Sequence, residues 1–227
     1  MAVLVDFTGS ARAWAVDLVQ PEDLTPIIRY LDLYGGELAV GEIGTDSKTP
    51  LKRLRLAPPR PAPILEEPNG APNPFSRRKA LRQYRKRLPE LQAEYEAIEK
   101  ARRDTNRVKI ARFEADVKSF LAGDPNLPVT DLWSAISRAT GFLVEDPLYW
   151  TTTSGKVPSR HIVISSDGRH NVLTSSFAKI HKSISIAVVS GTAGLGDFSR
   201  YGKRVRHFES SEAAISYTLA NAMRGQN

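Results

Sequence analysis

The sequence predicts a doubly wound α/β domain, built on a mostly parallel sheet and interrupted by a long basic helical insertion. Three observations predict it. Short β-branched apolar runs alternate with segments of helical period toward both ends of the 227-residue chain, the order that builds a βα sheet covered on two faces. Residues 57–75 hold seven of the 15 prolines and break that order with an extended, semi-rigid connector. Residues 76–122 then read as helix and carry the chain's excess positive charge. The α/β domain is therefore expected from residues 1–56 and 123–227. The insertion should pack on it through its C-terminal part.

Ala2–Phe7 (AVLVDF) is a buried strand by its apolar, β-branched composition. Pro21–Tyr34 follows as a helix, with proline and acids in its first turn, Leu24, Ile27, Ile28 and Leu31 at helical spacing, and Gly35-Gly36 as the stop. Glu37–Gly44 and Leu51–Leu56 are strands. In the insertion, Leu81, Tyr84, Leu88, Leu91, Tyr95 and Ile98 recur at alternating steps of three and four, the seam of a packed helix. The seam lapses through Arg102-Arg103-Asp104-Thr105-Asn106 and resumes out of phase at Ile110, Phe113, Val117 and Phe120. This predicts either a helical hairpin turning near Asp104–Asn106 or a kinked long helix, with Pro89 in a first turn rather than mid-helix. Beyond Gly123, Asp131–Thr140 is a helix ending at Gly141. Arg160–Ser166, Ser183–Ser190 and Val205–Phe208 are strands, Gly191–Gly196 a loop, and Ser211–Met223 an amphipathic closing helix.

Composition excludes several chemistries. With no cysteine there is no disulfide, thiolate zinc site or cysteine nucleophile. With no apolar run near the roughly 18 residues of a spanning helix, and no basic leader before Ala2, the expectation is a cytoplasmic protein without a transmembrane segment. His161, His170, His181 and His207 show no helical pairing, and no G-x-S-x-G elbow accompanies them. A non-enzymatic protein is expected.

Asp6-Phe7-Thr8-Gly9-Ser10 leaves the first strand as D-x-T-x-S. In extended backbone positions 6, 8 and 10 point the same way, which gathers a carboxylate and two hydroxyls. Asp167-Gly168 leaves the Arg160–Ser166 strand, and Thr130-Asp131 precedes a helix. If the sheet order is 3-2-1-4, Asp6 and Asp167 face each other across the switch-point crevice where open α/β sheets bind ligands. Taken singly, Ser10 and Thr130 could serve as helix N-caps and Asp167-Gly168 as a simple turn.

This ordered trio resembles the metal-ion-dependent adhesion site of von Willebrand factor A-like (integrin I-like) domains, whose pattern is D-x-S-x-S, a threonine, and an aspartate usually followed by glycine. Asp6, Thr8 and Ser10 match the first element, with Thr8 in place of serine; Thr130 matches the second and Asp167 the third. The resemblance covers residues 1–56 and about 113–223. It implies an oxygen-only site for Mg²⁺, with Mn²⁺ or Ca²⁺ as alternatives, and a protein partner that offers an exposed Asp or Glu to the metal. A metal-dependent hydrolase would need a general base, and none is recognisable.

The charge points to a second activity. Residues 77–118 contain 14 Lys/Arg against 7 Asp/Glu, whereas the remainder is balanced. Arg77, Arg78, Lys79, Arg82, Arg85, Lys86 and Arg87 form a cluster suited to nucleic-acid phosphates or an anionic surface. The adjoining seam alternatively suits self-association or a solvated helical pair.

Overall fold

The computed structural model describes residues 1–44, 49–62, 74–123, 127–145, 159–172 and 176–224. Of the proline-rich connector, residues 63–73 lie outside these, as do the side chains of Pro74, Ser76 and Arg77. Six strands form one sheet: β1 (Ala2–Asp6), β2 (Gly36–Ile43), β3 (Lys52–Leu56), β4 (Arg160–Ser165), β5 (Ile184–Val189) and β6 (Val205–Phe208), in the order β3-β2-β1-β4-β5-β6. All neighbours are parallel except β2 and β3. β1 is central because it is apolar on both faces. Ala2 and Leu4 enter one core with Leu132, Ile136 and Ile162, and Val3 and Val5 enter the other with Ile27, Leu38 and Val163.

Helices cover both faces. Besides the short α1 (Gly9–Ala13), they are α2 (Thr25–Tyr34), α3 (Pro74–Leu121), α4 (Leu132–Val144) and α5 (Ser211–Arg224). α4 packs on one face through Leu132, Ala135, Ile136 and Ala139. On the other lie α2, α5 and the C-terminal part of α3, whose Phe113 and Val117 are buried. The fold is thus a Rossmann-like α/β sheet with a long helix inserted after β3. No helix among the described residues is long and apolar enough to cross a membrane.

Several elements differ from the sequence expectation for identifiable reasons. The helix expected from Pro21 divides into a 3₁₀ turn at Pro21–Leu24, boxed by Gln20 and Asp23, and then α2. α4 does not end at Gly141. A side chain there would meet nothing within 4 Å, and the next residue, Phe142, is buried, so burial carries the helix one turn further. Gly191–Gly196 is not an open loop, since 3₁₀ turns occupy Gly191–Ala193 and Gly196–Arg204.

Of the two forms expected for the insertion, the structure has the long helix and not the hairpin: α3 is one continuous helix of 48 residues. The correction concerns Pro89, which lies inside the helix and not in a first turn. A mid-helix proline orphans the carbonyl four residues earlier, and here Arg85 and Pro89 are both exposed, so water can take that acceptor. The seam does not lapse either; it changes chemistry. Where apolar residues stop, Arg102 and Asn106 turn inward. Arg102 donates to Glu99 at 2.8 Å and to the carbonyls of Asp32 and Ala57 at 3.3 Å, and Asn106 donates to the Asp32 carboxylate at 2.8 Å. Glu99 also accepts from the Arg60 backbone, and Tyr95 donates to the Arg60 carbonyl. This polar clamp joins the helix to the amino end of β2, while Phe120 stacks edge-on against Phe7 near the carboxyl end of β1. Residues on the amino side of Tyr95 therefore extend past the amino end of the sheet.

Candidate functional site

Asp6 is the last residue of β1 and fully buried. Its Oδ1 accepts from the Thr8 backbone at 3.0 Å and from the Thr8 hydroxyl at 2.6 Å, while its Oδ2 accepts from the Ser166 hydroxyl at 2.6 Å. Thr8 Oγ1 and Ser10 Oγ lie 3.1 Å apart. Since the Thr8 proton goes to Asp6, the Ser10 hydroxyl donates to Thr8, forming a relay Ser10→Thr8→Asp6. Ser10 is therefore not an N-cap. Thr8 occupies the cap position of α1 in extended conformation, and its hydroxyl makes no capping bond.

Thr130 is buried, and its backbone donates to Asn171 Oδ1 at 2.7 Å while its carbonyl accepts from the Asn171 backbone at 3.3 Å. Asp131, not Thr130, caps α4 by accepting from the Ser134 backbone at 3.2 Å. The Asp131 amide bonds to the Gly44 carbonyl, just past β2, and the Leu127 amide to the Phe7 carbonyl. The Thr130 loop is thus strapped to all three neighbouring chain segments.

Asp167 follows β4 and is 1% exposed. One oxygen accepts from the Arg169 backbone at 3.1 Å; the other, Oδ2, is buried with no hydrogen-bond partner. The turn around it is more than a simple strand exit. Gly168 (φ 72°) and Gly196 (φ 46°) meet backbone to backbone, and a Cβ on Gly196 would sit 2.7 Å from the Gly168 carbonyl. Only glycine admits both the positive φ and that approach. The Asp197 amide then bonds the Gly168 carbonyl at 2.9 Å, and the Asp197 carboxylate accepts from the His170 amide at 3.3 Å. At the rim, the Arg169 guanidinium lies 4.6 Å over the Trp14 ring.

Burial raises the Asp6 pKa, hydrogen bonds from Ser166 and Thr8 oppose the rise, and the charge of Asp167 adds to it. Among the described residues no Lys, Arg or His forms a salt bridge with either aspartate. Two buried acids thus sit in a setting rich in hydroxyls, and one oxygen of Asp167 has no hydrogen-bond partner. That donor set, hard oxygen throughout, fits Mg²⁺, Mn²⁺ or Ca²⁺ better than a softer metal. Among the described residues no group of three or more His, Asp or Glu side chains is placed to hold a metal ion; the candidate set, with two carboxylates and three hydroxyls, is of a different kind.

The sequence reading missed two residues. Ser166, in sequence the last residue of a strand, bridges Asp6 Oδ2 and the Gly168 amide. The signal was the two-residue period Ile162, Ile164, Ser166, which puts a hydroxyl beside the carboxyl end of β1 once β1 and β4 are neighbours. Asn171 ties the second and third motif loops, and no local pattern announces it. The basic cluster lies elsewhere. Arg78, Lys79, Arg82, Arg85, Lys86 and Arg87 are exposed on the amino-terminal half of α3, and among the described residues none is in a salt bridge; the Arg77 side chain is outside the described set. Compared with protein-family models, with curated proteins and with solved structures, the chain finds no match.

Proposed function

We propose that the chain is a metal-dependent protein-interaction module of the von Willebrand factor A-like kind, and not an enzyme. Asp6, Thr8, Ser10, Thr130 and Asp167 would hold Mg²⁺, and a protein partner's exposed Asp or Glu would complete the site. The observation that carries this reading is the buried, unpartnered Oδ2 of Asp167 beside a second buried carboxylate. An unpaired buried acid is costly, and a cation offsets that cost where no basic side chain does. When bound, the metal would supply positive charge left unsatisfied by the hydroxyl ligands. The residues have separate tasks. Ser166 and the Thr8 amide orient Asp6, the Ser10–Thr8 relay aligns the hydroxyls, and the Gly168–Gly196 contact with the Asn171 strap holds Asp167 and Thr130 near the first loop. Isothermal titration with Mg²⁺ and Mn²⁺ tests this. The parent should give a one-site isotherm and Asp6→Ala none, with both proteins folded; equal isotherms would overturn it.

A second reading rests on the arm. At 100° per residue, Arg78, Lys79, Arg82, Arg85 and Lys86 fall within a sector of about 120°, beside the seam of Leu81, Tyr84, Leu88 and Leu91. Such a face suits a polyanion, whether nucleic acid or anionic membrane surface. It disfavours self-pairing within residues 77–91, which would set these cations against their copies. Longer antiparallel pairing would need the Tyr95–Glu99 face that Arg60 already covers.

A further inference from the structure

Outside the arm, cations and acids balance in number, but the fold does not distribute them evenly. A cavity of about 250 Å³ opens where β5 and β6 begin, and Lys182, Lys203, Arg204 and Arg206 all line it. No carboxylate is among its lining residues. The cations come from separate places. Lys182 lies in the turn before β5, Lys203 and Arg204 end the 3₁₀ segment, and Arg206 is on the edge strand β6. The register Ile186↔Val205 sets that segment alongside the start of β5. Tyr217 of α5 closes a further side, its ring held 5.1 Å from that of Phe208.

Part of this lining is held in place. Arg204 donates to the Ile180 carbonyl at 3.0 Å, and Ser183 accepts from Arg160 at 3.2 Å and bonds His181. The acids of the chain do not answer these charges: among the described residues none of the four cations forms a salt bridge. Two guanidiniums and two ammoniums, with the Tyr217 hydroxyl, make a cavity of donors, while the Ser183 and Ser185 hydroxyls are taken up by His181 and His161. Guanidinium forks and lysine point charges are the usual partners of phosphate oxygens. One carboxylate would leave most of this charge unanswered, whereas a multiply charged phosphate group with several acceptor oxygens would not.

We propose that the cavity at the amino ends of β5 and β6 is a binding site for a phosphomonoester or diphosphate group, distinct from both the Asp6–Asp167 site and the basic arm. The group could belong to a soluble phosphate compound or to a lipid headgroup, and the ligand chemistry is the same.

The test is titration of the full chain in chelator, so that no bound divalent ion can carry the anion. One arm uses inorganic pyrophosphate. The other uses phosphatidylcholine vesicles with and without phosphatidic acid. Lys203→Glu/Arg206→Glu should weaken binding about tenfold or more, equivalent to at least about 1.4 kcal/mol. Arg82→Glu/Arg85→Glu/Arg87→Glu should weaken pyrophosphate binding less than Lys203→Glu/Arg206→Glu does. Lys203→Met/Arg206→Met, which removes charge without reversing it, should lie between, and matching thermal transitions would show that the variants fold. Binding to pyrophosphate assigns a soluble ligand, and binding to phosphatidic acid vesicles alone assigns a headgroup. Absence of binding to both probes, or binding that follows the arm variant rather than the cavity variant, overturns the proposal.

Discussion

Asp167→Asn should stabilise the metal-free protein and remove its response to Mg²⁺. The substitution preserves shape and the oxygen that accepts from Arg169, while it removes the charge whose second oxygen has no partner. In chelator, relief of repulsion with Asp6 should leave the variant at or above the parent in stability. If the site holds Mg²⁺ as proposed, the parent should gain about 2.7 kcal/mol with the ion at 100 times its Kd. For a chain of this size that is about 5–10 °C in Tm, at about 2–4 °C per kcal/mol. The order of stability should therefore reverse: variant at or above parent in chelator, parent above variant in Mg²⁺. Differential scanning calorimetry reads both states. An equal Mg²⁺ shift in the two proteins, or a variant less stable in chelator, would refute the argument that Asp167 is an uncompensated acid awaiting a cation.

The same pair fixes a pH dependence. Asp6 has a folded pKa raised above 3.8, so over that interval the folded state keeps a proton that the unfolded chain has released. Stability from this group falls as pH rises through the interval and is constant above it. His161 and Glu99 act in the opposite sense. Burial lowers His161 from 6.5 to about 4, so its contribution is full above 6.5 and declines down to about 4. Glu99 is held below 4.5 by the Arg60 amide first and Arg102 second, and its contribution is lost as pH falls through its folded value. The informative quantity is thus the difference between parent and Asp167→Asn, in which His161 and Glu99 cancel. That difference should shrink as pH drops and Asp6 takes up its proton.

Three further outcomes are expected. Arg102→Met, which removes bonds to Glu99, Asp32 and Ala57 from a side chain only 14% exposed, should cost about 1.5–3 kcal/mol in urea unfolding; a loss below about 0.5 kcal/mol would show that the clamp is ornamental. Replacing residues 76–94 by a Gly/Ser linker should leave a cooperative thermal transition, whereas extending the replacement to residue 109 removes the clamp and should lower Tm further; equal Tm values would contradict the boundary at Tyr95. If the arm binds duplex DNA through its seven clustered cations, log affinity against log salt should have a slope of about −6, and Arg82→Glu/Arg85→Glu/Arg87→Glu should weaken binding and flatten it; a slope unchanged by the triple variant would place the contacts elsewhere.

The sheet was legible in the sequence because its central strands β1, β4 and β5 are buried nearly throughout and read as continuous apolar runs, while β3 shows the alternation of a strand with one exposed face; each observed boundary lies within a residue or two of the expected one. The first and third candidate loops were legible because they leave those strands. What failed did so where a tertiary partner decides local chemistry. Arg102 and Asn106 read as an interruption of an apolar seam, yet their polar groups serve the same face through Asp32. Pro89 looked like a helix start because its exposure could not be known. Thr130 and Ser10 have side chains able to cap, but Asp131 caps α4 and Ser10 bonds Thr8 instead. The cavity of cations at β5 and β6 had no sequence signal at all, since its lining converges from three separate segments, around Lys182–Ser185, Lys203–Arg206 and Tyr217, and a counted balance of charge conceals it.

The two candidate activities should also be independent, and the geometry says why. α3 meets Phe7, near the Asp6 loop, through Phe120, and meets Asp32, at the opposite end of the sheet, through Arg102. Those 18 residues alone span about 27 Å of helix, and the cations of residues 77–87 lie further out on the same helix. At physiological salt the Debye length is about 8 Å, so the arm's charge is screened from the carboxylates several times over. A direct electrostatic effect of one on the other is therefore negligible. Any coupling would have to travel through the clamp or the Phe113–Val117 packing. Mg²⁺ affinity should accordingly be the same in the parent and in the arm charge-reversal variant, and polyanion affinity the same in the parent and in Asp167→Asn. A double variant whose losses differ from the sum of the single ones by more than about 0.5 kcal/mol would show that α3 transmits between the two ends, and that the module is a switch rather than two sites on one scaffold.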